Sequence, residues 1–195
     1  MIKITNNCRF LVVLVLCCFF AGCNATDTNN SNTPVISGAP PGTTFPMPPP
    51  NGASIASMGW ESDGKRAVFS EYKGKVLVLD FYATWCMPCR DSVPHLIGLQ
   101  KKHEDKGLVV VGLNVGGADD EPEVPAFAKE FGIQYTLAIP DKDLVTFLLS
   151  DYDVIPQTFV FDRQGQLIER FIGYGSGTGA RIDAAVEKGL QTPAP

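Results

Sequence analysis

Two continuous apolar runs, "VLVLDFY" at 76–82 and "LVVVGLNV" at 108–115, limit what this chain can fold into. A strand with one face in water alternates apolar and polar residues; these runs do not, so each belongs in a sheet covered on both faces. Between them Val93, Leu96 and Ile97 follow helical spacing to about His103, which makes a βαβ unit with the helix as its crossover. The junction of the first strand with that helix carries Cys86 and Cys89, in "FYATWCMPCR". Further on, Val124, Phe127, Ala128 and Phe131 recur at helical spacing, "YTLAI" reads as a strand and "KDLVTFLLS" as a short helix. "TFVFDRQGQLIERFIG" reads as a hairpin turning at Gln164-Gly165, and Ile182, Ala185, Val186 and Leu190 give a last helix its apolar face. Upstream, Asp63-Gly64 turns between two short extended pieces. The predicted class is α/β: a central mixed sheet flanked by helices on both faces, with an N-terminal β-hairpin extension.

The amino terminus, "MIKITNNCRFLVVLVLCCFFAGC", sets Lys3 and Arg9 ahead of an apolar stretch from Phe10 to Ala21 and small residues before Cys23. That is the pattern of an export signal, and the stretch is short for a bilayer core. An uncleaved anchor helix is the alternative; both readings put the remainder outside the cytoplasm. "FFAGC" resembles a bacterial lipobox, with Phe20 where Leu is usual, and the resemblance implies removal of residues 1–22 and a lipid on Cys23. Residues 23–52 then form a tether: Asn24 to Asn51 is mostly Asn, Thr, Ser, Gly and Pro with hardly any large apolar residue, holds seven of the fifteen prolines, and cannot build a core. Such a tether reaches roughly 80 Å when extended. A Pro-rich recognition segment for a partner is the alternative, without a specific signature. Residues 53–195 are left as one domain. Loss of Lys3 and Arg9 takes the formal charge from −5 to −7, which gives no electrostatic case for nucleic acid.

Of the six cysteines, Cys8, Cys17 and Cys18 fall in the signal and Cys23 carries the lipid, so Cys86 and Cys89 face each other or a partner molecule. Zinc, a structural staple and a redox dithiol all use this spacing. Zinc needs four ligands, and the remaining donors are His95 and His103, which read as helix surface residues. A disulfide closing so small a loop constrains little unfolded-state entropy. The redox reading leads, with the Cys86–Cys89 pair itself as the active group and no cofactor or metal. A thiol at a helix amino terminus has a lowered pKa, so Cys86, its sulfur predicted to be exposed, is the attacker; Cys89, one turn in, is suited to resolve a mixed disulfide. Pro88 sits in the first turn, where its missing N–H costs little.

"WCMPC" with Asp80 six residues before Cys86, Pro94 eight after it, and "VIPQT" resemble the thioredoxin fold. "YKGKVLVLDFYATWCMPC" and "VIPQTFVFDRQGQL" are similar to the TlpA/ResA-like membrane-anchored thiol-disulfide oxidoreductases, over about residues 53–190. The resemblance implies that Cys86 is the nucleophile, Cys89 the resolving thiol, Trp85 a cover beside the disulfide, and Asp80 a buried acid that exchanges a proton with Cys89. A carboxyl inside an apolar strand is expected to have a raised pKa; capping of a neighbouring backbone group is the alternative role. Pro156 corresponds to a cis-proline against the dithiol, which turns the Ile155 backbone toward it so that a substrate strand can add there; a trans proline starting an edge strand is the alternative. Trp85, Met87, Pro88, Ile155 and Pro156 are the expected substrate-binding residues, and Pro94 is expected to kink the helix. Met87 stands where relatives dedicated to apocytochrome c often carry an acidic residue, so that substrate is not implied.

The expected activity is reduction of disulfides in exported proteins. Its expected setting is the cell envelope, facing the periplasm or the extracellular side, as a monomer held to a membrane through Cys23 and recharged by a membrane electron donor of the CcdA/DsbD type. Two alternatives differ in residues. Thiol peroxidases of related fold use Thr-x-x-Cys, whereas Thr84 is two residues before Cys86. Copper modules like the Sco proteins use Cys-x-x-x-Cys with a distant His, whereas this pair is one residue closer and both histidines follow it on one helix.

Overall fold

A computed structural model of the chain describes residues 54–195. The expected export signal, the lipid site Cys23 and the tether lie outside the described residues.

Strand β3 (Val76–Tyr82) is buried along its whole length, as its unbroken apolar run requires. It pairs in parallel with β4 (Leu108–Asn114) on one side and antiparallel with β6 (Gln157–Phe161) on the other. Beyond β4 lies β5 (Thr136–Pro140), parallel to it, and beyond β6 lies β7 (Leu167–Ile172), antiparallel. The hairpin of β1 (Gly59–Ser62) and β2 (Lys65–Val68) pairs through β1 with β5, so the order is β2-β1-β5-β4-β3-β6-β7. The expected extension is thus an edge of the sheet itself. Its two-residue turn puts Asp63 and Gly64 in the left-handed region, at φ 52° and 71°, the geometry that follows the twist of paired strands. Asp141 fastens the hairpin: its Oδ2 accepts the Gly59 N–H at 2.8 Å and pairs with Arg66 at 2.5 Å.

Alternation along β3 separates two cores. Leu77, Leu79 and Phe81 join Phe159 and Phe161, and pack against Leu144, Phe147 and Leu148 of α3 (Lys142–Leu149). Val76 and Val78 pack on the opposite face against Leu96 and Leu99 of α1 (Met87–His103) and Ile182, Ala185 and Val186 of α4 (Thr178–Gln191). Helix α2 (Val124–Phe131) buries Phe127 in a third cluster with Tyr82, Ala83, Cys86, Cys89 and Val93, at the carboxyl end of β3. Val124, Ala128 and Phe131 on its expected apolar face are only half-buried. Helix α1 runs on through Pro94.

The two histidines depart from the expected surface role. His103 is buried, because it continues the inward stripe of Leu96 and Leu99, and neither ring nitrogen has a hydrogen-bond partner among the described residues. Burial, with Lys102 and Lys106 nearby, lowers its pKa. His95 is half-buried and meets Asp183 of α4 at 3.0 Å. Among the described residues no helix is long and apolar enough to cross a membrane.

Phe159 is fully buried in the middle of the sheet, edge-on to Phe81 with ring centroids 5.7 Å apart. Phe159→Ala should lower the unfolding free energy by about 3–5 kcal/mol in urea titrations, since the flanking strands cannot collapse into the space.

Candidate active site

Where β3 ends, buried Ala83 and Thr84 lead to Cys86, the N-cap of α1. Its extended backbone lies just outside the helix while its sulfur caps the first turn: Cys86 Sγ accepts the N–H of Cys89 at 3.2 Å. The first N–H groups of a helix have no internal partner and carry the positive end of the dipole, so a negative sulfur is favoured here. Cys86 and Cys89 are joined in a disulfide, with S–S 2.04 Å and Cα atoms 5.2 Å apart. Pro88 lies exposed in the first turn, and Trp85 and Met87 flank Cys86 with 66% and 65% of their surface in solvent.

The sulfur of Cys86 was expected to be exposed, and here the structure differs. Cys86 is 5% exposed against 0% for Cys89, so the order of access holds but the attacker is largely covered. Trp85, the expected cover, has 66% of its surface in solvent, and the cover the contacts show lies elsewhere. It comes from the cluster of Tyr82, Val93 and Phe127 and from Ile155, whose carbonyl oxygen lies 3.8 Å from Cys86 Sγ.

The Ile155-Pro156 bond is cis, Pro156 is buried and Ile155 half-buried. The segment before it is held from below. Buried Gln157 donates through Nε2 to the carbonyls of Tyr152 at 2.6 Å and Val154 at 2.8 Å, and accepts at Oε1 from Arg170 Nε at 2.8 Å. Arg170 also pairs with Asp151 at 2.8 Å. The loop therefore has a fixed backbone and presents exposed Tyr152 and Val154 beside Ile155.

Asp80 stands in β3 opposite Gly112 of β4 and Thr158 of β6, on the face that α1 covers, one alternation short of Tyr82 in the Cys89 cluster. It is 2% exposed, and its hydrogen bond is to a side chain: the Thr158 hydroxyl donates to Oδ1 at 2.7 Å. Burial pushes its carboxyl up to about 7, against the opposing pull of Thr158. A group that changes charge near neutrality inside the sheet can hold or release a proton there.

Sequence reasoning missed three positions. Thr158 lies in a motif read for its proline. Arg90 donates to the Thr84 carbonyl at 3.0 Å, and Asp120 is a second buried carboxylate bonded to Thr84. No pattern in the sequence points to Asp120. Among the described residues no group of three or more His, Cys, Asp or Glu side chains is placed to hold a metal ion.

Residues 40–186 match the model of the Redoxin family. The chain is similar to a thiol-disulfide oxidoreductase ResA of Bacillus cereus, 31% identical over 115 residues that cover 57% of this chain and 62% of the relative. It is also similar to the thioredoxin-like protein YneN of Bacillus subtilis (strain 168), 34% identical over 113 residues, 56% of this chain and 64% of the relative. The match thus spans less than two thirds of either relative's length. Among solved structures, a thiol:disulfide interchange protein of the thioredoxin family from Chlorobium tepidum TLS superposes with a TM-score of 0.57 at 29% identity, over 71% of this chain and 98% of that one.

The raised pKa of Asp80 has a stability consequence. Between its ordinary 3.8 and about 7 the folded state holds the proton and the unfolded state does not, so stability falls as pH rises through that window and levels off above it. Asp80→Asn should remove this contribution to the slope. Urea unfolding of the oxidised protein should show the variant more stable than wild type at about pH 8, by up to roughly 4 kcal/mol, and little different at about pH 4.

Proposed function

The chain belongs to the Redoxin family, and from that premise we propose that it is a thiol-disulfide oxidoreductase that reduces disulfides of exported proteins through Cys86 and Cys89. The observation that carries the reading is the unequal setting of the two sulfurs. Cys86 caps α1 and takes a helix N–H, while Cys89 is sealed in the interior one turn behind it.

In the reduced state the Cys86 thiolate attacks one sulfur of a substrate disulfide. The substrate S–S bond breaks, a Cys86–substrate bond forms, and the departing substrate sulfur takes up a proton. Cys89 then loses its proton and attacks Cys86 Sγ; the mixed disulfide breaks, the second substrate thiol leaves, and the Cys86–Cys89 disulfide of this structure is restored. Two electrons have passed to the substrate. Asp80, poised near neutrality on the α1 side of the sheet, is the group we assign to take the Cys89 proton. Trp85, Met87, Pro88, Ile155 and Pro156 would receive the substrate, a strand of which can pair with the backbone at Ile155.

The pair must be re-reduced after each cycle, and a membrane electron donor of the CcdA/DsbD type is proposed for that step. The setting we propose is the cell envelope: a monomer with its lipid on Cys23 and residues 23–52 as tether. What supports it is the signal-like amino terminus, the lipobox resemblance and the Pro-rich composition that follows. Reduction is preferred to oxidation because Asp80 accompanies the pair and the dipeptide Met87-Pro88 lacks the His common in oxidising relatives.

Cys89→Ala should leave Cys86 unable to release its partners, so reductant-sensitive adducts with envelope proteins should accumulate in cells and be lost in the Cys86→Ala,Cys89→Ala double variant. A Cys89→Ala protein that captures nothing would count against the assignment. The reduction potential of the pair should lie near or below about −270 mV, whereas a value near −120 mV would make the protein an oxidant and reverse the direction.

A further inference from the structure

The loop that delivers Cys86 is held by a carboxylate with no part in the exchange chemistry. Asp120 lies beyond the end of β4 and is 4% exposed. Its Oδ2 accepts the Thr84 N–H at 2.9 Å and Asn114 Nδ2 at 2.6 Å, and its Oδ1 accepts the Thr84 hydroxyl. The Thr84 carbonyl is taken by Arg90 Nη1 at 3.0 Å. Arg90 in turn pairs with Glu130 and lies over the rings of Phe127 and Phe131, 5.5 and 4.9 Å from their centroids. The backbone N–H, the hydroxyl and the carbonyl of Thr84 therefore all have fixed partners, two residues ahead of Cys86.

The surroundings are shaped to the carboxylate. A Cβ on Gly116 would fall 2.3 Å from Asp120 Oδ2, so a side chain there would occupy its place. Burial pushes the Asp120 carboxyl up, but the hydrogen bonds from Thr84 and Asn114 outweigh it and leave the pKa below the ordinary value, so the group is ionised at neutral pH. A buried charge is costly to leave unpaired, which ties the segment after β4 to the loop before α1.

Disulfide exchange needs the attacking, central and leaving sulfurs nearly in line, and a displacement of about 1 Å can change a rate on the order of a hundredfold. Within the loop itself, the backbone bond from the Cys86 N–H to the Ala83 carbonyl is 3.2 Å long. We propose that Asp120 is a positioning residue for the dithiol: by clamping Thr84 it fixes the β3–α1 loop so that Cys86 meets an incoming disulfide in line. It acts through Thr84 and does not touch the substrate. This rests on the oxidoreductase reading above.

The test is the second-order rate at which Cys86 of the reduced protein attacks oxidised glutathione, followed against pH until it reaches its plateau. At the plateau the sulfur is fully thiolate, and the pKa read from the same curve corrects for the change in the thiolate's nucleophilicity, so the rate that remains reports geometry. Asp120→Ala should lower the plateau on the order of tenfold or more. Asp120→Asn should fall between, because an amide oxygen can still accept from one donor while its NH₂ faces others. Gly116→Ala leaves every hydrogen-bonding group in the chain and displaces the carboxylate, and should lower the plateau in the same direction; it carries the test if Asp120→Ala does not fold. Plateau rates equal to wild type in Gly116→Ala and in the folded Asp120 variants, whatever the loss in melting temperature, would reduce Asp120 to a structural residue and overturn the inference alone. A reduced wild type that does not react at all would overturn the oxidoreductase reading, and the inference with it.

Discussion

Burial of β3 on both faces governs most of what surrounds it. A strand with no wet side must have a covering layer above and below, so α3 packs on Leu77, Leu79 and Phe81 while α1 and α4 pack on Val76 and Val78. Each fully buried aliphatic or aromatic side chain contributes roughly 1.5–3 kcal/mol. That sum anchors the strand well enough to carry a carboxyl, Asp80, inside the sheet. The same burial denies Asp80 its charge until about neutrality, with only the Thr158 hydroxyl to favour ionisation. The strand's rigidity and the acid's altered titration thus have one origin. A four-residue loop, 83–86, joins the end of the strand to α1, so the dithiol starts close to a fixed point.

The two sulfurs then differ through position alone. Cys86 is the last residue before helical backbone, where unpaired N–H groups point at it, and Cys89 is one turn inside, against Tyr82, Val93 and Phe127. The first setting favours a thiolate and the second favours a neutral thiol. In the proposed cycle the resolving cysteine loses its proton before it attacks, and Asp80 is the carboxyl buried within β3 on the face that α1 covers. The division of labour follows from a helix start, a buried turn and a strand meeting at one corner.

Much of this was legible in the sequence, for reasons that differ by residue. The central strands announced themselves by unbroken apolar runs, the helices by spacing, and the first hairpin by Asp63-Gly64, whose left-handed backbone few other residue pairs accept. His103 was misread because its polarity was weighed above its place four residues after Leu99, which puts it on the buried stripe. The Ile155 backbone beside Cys86, from a position 69 residues away, was expected only through the resemblance of "VIPQT" to the family motif, and the depth to which it and the Tyr82 cluster cover the sulfur left no local pattern. Thr158 and Asp120 failed for the same reason: they bond to Asp80 and Thr84 across separations of 78 and 36 residues, and neither contact leaves a period or a spacing in the chain. Local patterns record secondary structure; the polar networks that aim a site are recorded only in three dimensions.

Two such networks hold the loops that meet at Cys86. Asp120 and Arg90 hold the loop that carries the sulfur, and Gln157 and Arg170 hold the loop that carries Ile155. In the first, charge-assisted hydrogen bonds, the stronger class, fix the Thr84 backbone directly; in the second the neutral amide of Gln157 holds the Tyr152 and Val154 carbonyls, and the charged Arg170 holds Gln157. What they leave unfixed is the rim. Trp85, Met87, Tyr152 and Val154 extend into solvent from these rigid loops, apolar and without charge. A partner segment would meet a backbone already in place, so little ordering is spent on the loops, while the apolar rim adapts to whatever side chains flank its disulfide. Selection by geometry at the backbone and tolerance at the rim are what the proposed disulfide exchange would ask of such a site.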